Sequence, residues 1–195
     1  MAEFTSNEKK ALIRIFKDLD SYYNANSLSK KLDISRIGMR KILKKLEKKE
    51  ILFSKNIGRA IVYKINFSDY VQDVITFLLS DEANDFKRWK KEFEFLFKGD
   101  RVVLIYGSAI KNYSKARDID LMVIGNKKTG EMESRLNNKQ KILPKEIHII
   151  EMSYNDFLRN IKHRQKSMMD VVQSAVVLYG QNKYVRLVEN VKNNI

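Results

Sequence analysis

Hydrophobic residues in the first third of the chain recur at helical spacing over three separate segments. The first segment follows Ser6 and carries its apolar positions at Leu12, Ile13, Ile15, Phe16 and Leu19. The second starts at Ser27 and contains Leu28 and Leu32, and the third starts at Ser35. Serine is a preferred N-cap, because its hydroxyl accepts a hydrogen bond from a backbone N–H of the first turn. The pattern predicts three helices, the second capped by Ser27 and the third by Ser35.

The third predicted helix has one apolar face and one basic face. Its apolar positions are Met39, Ile42, Leu43 and Leu46, a stripe that suits burial against a core. Its basic positions are Arg36, Arg40, Lys41, Lys44, Lys45 and Lys48. Two β-rich runs follow at 51–54 and 60–67, and the residues between them include Asn56 and Gly58, which suit a tight connection. The predicted order is therefore three helices and a hairpin.

This order resembles a winged helix-turn-helix domain, and the resemblance covers nearly all of residues 5–67. In that family the third helix enters the major groove of DNA, and the hairpin, or wing, touches the backbone or the minor groove. The resemblance implies that double-stranded DNA is bound by Ser35, Arg36, Arg40, Lys41 and Lys44 of the helix and by Lys55 and Arg59 of the wing. A homodimer on two half-sites is expected by analogy. The alternatives are a solvated basic surface and a winged helix that contacts proteins.

The distribution of charge favours a nucleic-acid partner for this part of the chain. Residues 1–67 hold 16 Lys and Arg against 7 Asp and Glu, which is +9 of the total net charge of +14. Lysine and arginine neutralise phosphates, and arginine can also bind guanine edges.

Two further apolar patterns follow the predicted hairpin. Residues 68–99 show helical spacing with a break near Ser80, and they contain no Gly-rich or Pro-rich stretch, so they predict a packed helical connector. Late segments predict helices at 154–161, 167–179 and 183–191.

A buried strand followed by a turn and a pair of acids is the most informative pattern of the second half. The apolar run 102–106 leads into Gly107 and Ser108, and Asp118 and Asp120 begin a second apolar run. Successive side chains of a strand point to opposite faces, so the two aspartates project the same way. Paired carboxylates suit Mg²⁺, a hard cation that shares its oxygen ligands with substrate phosphates.

These residues resemble the nucleotidyltransferase signature of the DNA polymerase β superfamily, a Gly-Ser turn followed by Asp-x-Asp. The resemblance covers roughly 102–180, and its last part, 175–180, looks like the end of a helix. It implies a mixed sheet flanked by helices and transfer of a nucleoside monophosphate from a nucleoside triphosphate. Gly107 and Ser108 would hold the triphosphate, with Lys111 as a weak further candidate. Asp118 and Asp120 would ligate Mg²⁺ or Mn²⁺.

The superfamily usually supplies a third carboxylate from a neighbouring strand. The candidate strand is 145–150, whose alternation puts Glu146 and His148 on one face. His148 falls where the third acid is expected. Either Glu146 substitutes for that acid, or His148 acts as base or ligand, or the site binds nucleotide without turnover. We favour participation of Glu146, while a hydrogen-bonded structural histidine remains an alternative for His148.

Composition excludes several other classes of protein. The chain has no cysteine, so it has neither a disulfide framework nor a thiolate zinc site. No apolar run approaches the length of about 20 residues needed to span a membrane, and the first five residues do not form a signal peptide. We expect a cytoplasmic protein with no membrane partner.

Together these patterns predict an α+β chain with three parts: a winged helix-turn-helix at 1–67, a helical connector at 68–99, and a mixed-sheet nucleotidyltransferase domain at 100–195. The first functional hypothesis is a Mg²⁺-dependent enzyme that transfers a nucleoside monophosphate, expected to be AMP from ATP, to an unidentified acceptor, for which a protein is plausible. The alternative is a DNA-binding transcription regulator whose second domain is inactive and serves as a nucleotide sensor or a dimerisation module.

Overall fold

The structure is a computed structural model that describes residues 3–125 and 130–193. The parts of the predicted domains that fall at 1–2, 126–129 and 194–195 lie outside the described residues. Helices and two sheets make up the described chain, one sheet two-stranded and antiparallel and the other four-stranded and mixed. The predicted α+β class is confirmed. Two compact units divide the chain, Met1–Leu78 and Leu79–Ile195.

The first unit has the predicted order of three helices and a hairpin. Its elements are α1 (Ser6–Lys17), α2 (Ala25–Leu32), α3 (Arg36–Lys48), β1 (Leu52–Ile57) and β2 (Ala60–Ile65). The two strands pair antiparallel, from Leu52 opposite Ile65 to Ile57 opposite Ala60. The apolar stripes meet in one core, which contains the fully buried Leu12, Phe16, Leu28, Met39, Leu43 and Leu46. Burial of these stripes leaves the basic face of α3 toward solvent.

The helix caps confirm one prediction and correct another. The Ser35 hydroxyl accepts a hydrogen bond from the Gly38 N–H at 3.1 Å, so it caps α3 as predicted. Ser27 does not cap α2, because the cap is Asn24, whose side-chain oxygen accepts from the Ser27 N–H at 2.8 Å. The Ser27 hydroxyl accepts in return from the Asn24 N–H at 3.0 Å. The two residues form a capping box. Both are residue types that commonly cap helices, so the sequence alone does not show which of them is the N-cap.

The second unit alternates helices with the strands of the mixed sheet. Helix α4 (Asp69–Asn84) runs across the division between the units, within the stretch predicted as a connector. The elements after it are α5 (Lys87–Phe93), a short 3₁₀ helix (Glu94–Leu96), β3 (Val102–Tyr106), α6 (Ser108–Lys111), β4 (Asp118–Ile124), α7 (Gly130–Ile142), β5 (Glu146–Met152), α8 (Tyr154–Lys162), α9 (Lys166–Ser174), β6 (Val176–Tyr179) and α10 (Gln181–Asn193).

The sheet of the second unit has the strand order β5-β4-β3-β6. Strand β3 is antiparallel to both β4 and β6, whereas β5 is parallel to β4. A parallel neighbour requires a crossover connection, which contains α7. Strand β4 is buried on both faces after its first three residues. Asp118 and Asp120 lie at the N-terminal end of the strand, where they are partly exposed.

The predicted helix at 167–179 is wrong in its second half. Helix α9 ends at Ser174, and residues 176–179 form β6 beside β3. A short apolar run fits either a buried strand or a buried helix, and the partner strand decides between them. Gly180 ends the strand at a φ of +78°, where a Cβ atom would lie 2.3 Å from the Arg101 carbonyl oxygen. The backbones meet so closely there that only glycine fits.

No helix in the described ranges is long and apolar enough to cross a membrane.

Candidate functional site

Parallel pairing of β4 and β5 brings four polar side chains to one face of the sheet. Asp118 lies opposite Glu146, and Asp120 lies opposite His148. Alternation along each strand places all four side chains on the same face. The shared face of Glu146 and His148 was predicted, and their register beside the aspartates comes from the tertiary structure.

Three of these side chains form a compact cluster of possible metal ligands. The Nδ1 atom of His148 lies 3.7 Å from Asp118 Oδ2 and 3.8 Å from Asp120 Oδ1. One donor atom from each residue lies within 4.8 Å of the others. Two carboxylates and one imidazole in this arrangement could hold a divalent cation.

Glu146 lies at the outer edge of this cluster. Its Oε1 atom is 3.4 Å from His148 Nε2, and its side chain is 74% exposed. It thus contacts the side of the imidazole that faces away from Asp118 and Asp120. The expected third carboxylate is near the site: Glu146 lies opposite Asp118 on the neighbouring strand, and its carboxylate contacts His148.

The electrostatics of the cluster favour a bound cation. Burial raises the pKa of Asp120, the nearby charge of Asp118 raises it further, and His148 opposes both effects. Within the described part of the chain, His148 is the one basic residue with an ion-pair distance to either aspartate. Two carboxylates that repel each other, and that have no lysine or arginine partner among the described residues, gain stability from a positive ion.

Gly107 holds the turn against Asp120. It has φ 78° and ψ −153° and precedes α6, and Tyr106 before it pairs with Asp120 across the sheet. A Cβ atom at position 107 would lie 2.2 Å from Asp120 Oδ2. The glycine therefore brings bare backbone to the carboxylate. Ser108 and Lys111, at the two ends of α6, are both exposed.

A basic groove of about 610 Å³ forms the second candidate site, in the first unit. Its lining residues are Asn24, Ala25, Asn26, Arg36, Ile37, Arg40, Lys44, Arg59, Ala60, Ile61 and Tyr63. The residues come from the start of α2, from α3 and from the hairpin. Four of them are basic and none is acidic, so an anionic ligand would meet no repulsive side chain in the lining.

The groove unites some of the predicted DNA-binding residues and leaves out others. Arg36, Arg40, Lys44 and Arg59 line it. Ser35, Lys41 and Lys55 are exposed but do not line it. The Ser35 hydroxyl accepts the capping hydrogen bond of α3, so this side chain has a structural role.

Lys44 differs from the three arginines of the groove. Its Nζ atom lies 3.0 Å from Glu47 Oε2, and this hydrogen bond raises the pKa of Lys44. Glu47 also accepts a hydrogen bond from the Ser54 hydroxyl. The partner offsets part of the lysine charge, so the three arginines carry most of the positive potential.

Sequence reasoning missed the polar and apolar residues between the basic ones. Asn24 and Asn26 line the groove from the start of α2, where no pattern singled them out. Ile37 is 73% exposed and Ile61 is 44% exposed, both within the same lining. An isoleucine on the basic face of a helix was the available signal, because apolar side chains can contact thymine methyl groups.

Comparisons with known proteins identify structural similarity over less than half of the chain. No protein-family model and no curated protein matches it. One matching solved structure is a double mutant of Lactococcus lactis ZitR in apo form, with a TM-score of 0.38 and 18% identity, over 45% of this chain and 64% of that one. Another structure of such a ZitR mutant has a TM-score of 0.30 and 20% identity, over 44% and 77%.

A third matching structure is a possible transcriptional regulator from Methanosarcina mazei Go1, with a TM-score of 0.32 and 23% identity, over 47% of this chain and 80% of that one. The chain spans less than two thirds of the length of the first structure and more of the other two.

Proposed function

We propose that this chain is a DNA-binding transcription regulator whose first unit binds duplex DNA through α3 and the hairpin. The observation that carries the proposal is the groove in which Arg36, Arg40, Lys44 and Arg59 converge without an acidic neighbour in the lining. Lysine and arginine side chains gain affinity for DNA by releasing the counterions condensed on its phosphates.

The exposed start of α3 suits insertion into the major groove. Arg36, Ile37 and Arg40 lie within about one helical turn and are all exposed. Arginine can bind guanine edges, and an isoleucine can contact a thymine methyl. Arg59, from the β1–β2 connection, lines the same groove and would contact phosphates beside the inserted helix.

The test is binding of a fluorescent DNA duplex to the purified full chain by anisotropy. The double variant Arg36→Gln/Arg40→Gln should lower affinity by about tenfold or more, because each arginine contributes phosphate or base contacts. The matched control is Lys87→Gln/Lys91→Gln, which removes the same charge from exposed positions of the second unit. Equal losses in both variants, or no binding at low salt, would overturn the proposal.

We propose as a second function that the second unit binds a nucleoside triphosphate with a divalent cation at Asp118 and Asp120. The observation that favours it is the cluster of Asp118, Asp120 and His148 beside the Gly107 turn. A cation held there would supply positive charge to the triphosphate. Gly107 and Ser108 would then face the phosphate oxygens, as the polymerase β resemblance implies.

If the site turns over, the reaction is a nucleotidyl transfer. An acceptor hydroxyl oxygen forms a bond to the α-phosphorus, the bond from that phosphorus to the bridging oxygen breaks, and pyrophosphate leaves with the electron pair. The proton of the hydroxyl passes to water. The residues of the chain position the triphosphate for this in-line displacement. If nucleotide binds but no transfer occurs, we propose that the second unit serves as a nucleotide sensor or as a dimerisation module.

Calorimetric titration of the full chain with ATP and Mg²⁺ tests the second function without knowledge of the acceptor. Asp118→Ala/Asp120→Ala should abolish binding, and Asp170→Asn, at an exposed carboxylate in α9, should leave it unchanged. Absence of binding to ATP, GTP, CTP and UTP with Mg²⁺ and also with Mn²⁺ would contradict this function. Transfer of label from the α-phosphate to a macromolecule separates an enzyme from a sensor.

A further inference from the structure

The donor set of the acid cluster differs from one that suits Mg²⁺. Magnesium prefers oxygen ligands in near-ideal octahedral geometry and dehydrates reluctantly. Here the third donor facing Asp118 and Asp120 is an imidazole nitrogen of His148. Imidazole suits zinc, cobalt and other first-row transition metals better than it suits magnesium.

The two ring nitrogens of His148 face different partners. Nδ1 points toward the aspartates, at 3.7 Å and 3.8 Å, while Nε2 faces Glu146 at 3.4 Å. Histidines that bind metals commonly donate their other ring N–H to a carboxylate, which fixes the tautomer and the ring orientation. Glu146 occupies the position of that orienting carboxylate.

The backbone holds the three donors in place before any ion binds. Asp120 and His148 are direct neighbours on hydrogen-bonded parallel strands, and Asp118 is two residues earlier on β4. The Gly107 turn packs against Asp120 and limits its side chain from the other direction. Metal–ligand bonds of about 2.1 Å place neighbouring donors about 3 Å apart. The two distances from His148 Nδ1 exceed this by less than an ångström, and all three donor atoms lie within 4.8 Å of one another.

We propose that Asp118, Asp120 and His148 bind a first-row transition-metal dication in preference to Mg²⁺, with Glu146 as the residue that orients His148. The three protein donors leave coordination positions for water or for phosphate oxygens. The role of the bound ion rests on the proposed nucleotide function. Binding of the ion does not, because the ion can bind without nucleotide.

Calorimetric titration of the metal-stripped, untagged full chain with CoCl₂, ZnCl₂ and MgCl₂, in the absence of nucleotide, tests this assignment. Most nitrogen and oxygen sites bind cobalt and zinc more tightly than lighter dications. The diagnostic quantity is therefore the change in the Co²⁺-to-Mg²⁺ affinity ratio when the imidazole is removed. The visible absorption spectrum of bound Co²⁺ reports its ligands independently.

Three variants of the site have distinct expected results. His148→Ala should lower Co²⁺ affinity at least about tenfold with little change for Mg²⁺, and Glu146→Gln should lower it by about tenfold through loss of the orienting carboxylate. His148→Asp restores a third carboxylate, so it should shift the affinity ratio toward Mg²⁺ and change the Co²⁺ spectrum. This variant also keeps the proposal testable if His148→Ala does not fold.

The matched control is His163→Ala, because the chain contains two histidines and His163 is exposed at the end of α8. It should leave Co²⁺ affinity unchanged. The proposal is overturned if His148→Ala and His148→Asp keep the wild-type affinity ratio, or if His163→Ala lowers Co²⁺ affinity as much. Co²⁺ binding through His148 without ATP binding would refute the nucleotide function alone. Mg²⁺-dependent ATP binding without a role for His148 would refute this inference alone.

Discussion

Gly107 connects the backbone conformation to the candidate metal site. Its φ of 78° and ψ of −153° fall in a region that residues with a side chain rarely occupy. A Cβ atom at the same position would lie 2.2 Å from Asp120 Oδ2, so the Asp120 side chain would have to shift. The backbone conformation and this contact both favour glycine.

Replacing Gly107 should destabilise the chain more than replacing Gly99, a glycine of positive φ with open space around it. We expect Gly107→Ala to cost about 1–3 kcal/mol from the backbone, with a further cost because Asp120 must move. The matched control is Gly99→Ala, where φ is +56° and no atom lies within 4 Å of the added Cβ. Its cost should be about 1–2 kcal/mol. Urea unfolding measures both, and equal losses would contradict the steric argument.

Glu8 is a buried carboxylate that couples the stability of the first unit to pH. It is 2% exposed, accepts a hydrogen bond from the Thr5 N–H at 2.9 Å, and pairs with Lys45 Nζ at 2.6 Å. Burial alone would raise the pKa of Glu8, but the bonds from Lys45 and Thr5 outweigh it and lower the pKa below its ordinary value of 4.5. A lowered pKa in the folded state means that ionised Glu8 stabilises the fold above pH 4.5.

That stability should be lost as the pH falls below 4.5 and through the lowered pKa of the folded state. We expect Glu8→Gln to have a lower melting temperature than the wild type at neutral pH, and the difference should shrink on acidification as the wild type loses its ion pair. Thermal unfolding followed by circular dichroism over a pH series checks this. Glu3→Gln, at an exposed carboxylate, serves as the control and should follow the wild type. A constant difference between Glu8→Gln and wild type at all pH values would exclude the assigned role.

At the scale of elements, substitutions at Ser35, the cap of α3, can test the stability of the helix separately from its DNA binding. We expect Ser35→Ala to cost about 0.5–2 kcal/mol, because the Gly38 N–H loses its partner. Ser35→Asp keeps a capping oxygen and should retain stability, while its negative charge beside the groove lowers DNA affinity. Unfolding and anisotropy measurements on both variants distinguish the two effects.

The control for this prediction is another helix cap of the same kind. Ser153 caps α8 in the second unit, where its hydroxyl accepts from the Asp156 N–H at 3.1 Å. Ser153→Ala should lower stability without changing DNA affinity. If Ser35→Asp binds DNA as well as the wild type, the start of α3 lies outside the DNA interface.

The hairpin and α3 were predicted from local signals, whereas β6, whose conformation depends on a distant partner, was not. The hairpin was predicted from Asn56, Gly58 and the β-rich runs beside them, and α3 from Ser35 and its apolar stripe. Strand β6 was predicted as the end of a helix, because its four residues form a continuous apolar run without the alternation of a half-buried strand. Pairing with β3, more than seventy residues earlier, decides its conformation.

At the scale of the whole molecule, the uneven charge predicts strongly salt-dependent DNA binding. Of the net charge of +14, the first 67 residues carry +9, and four basic side chains meet in the groove. If the protein makes four phosphate contacts, a plot of the logarithm of the binding constant against the logarithm of the salt concentration should have a slope of about −4.

Arg36→Gln/Arg40→Gln should reduce the size of this slope by about 2, since each arginine neutralises about one phosphate. Anisotropy titrations over a salt series measure the slope for the variant, the wild type and Lys87→Gln/Lys91→Gln. An unchanged slope in the groove variant would place the DNA contacts elsewhere on the chain.

The sequence by itself determined the features that depend on neighbours within a few residues. These are the apolar and basic faces of α3, the Ser35 cap, the Gly107 turn, and the shared direction of Asp118 and Asp120. The tertiary structure decided which of these features meet. Parallel pairing of β4 with β5 places Glu146 beside Asp118 and His148 beside Asp120, and folding of the hairpin beside α3 brings Arg59 to the arginines of that helix. Strand pairing and core packing join residues far apart in the chain, and periodicity and capping within one segment carry no information about such partners.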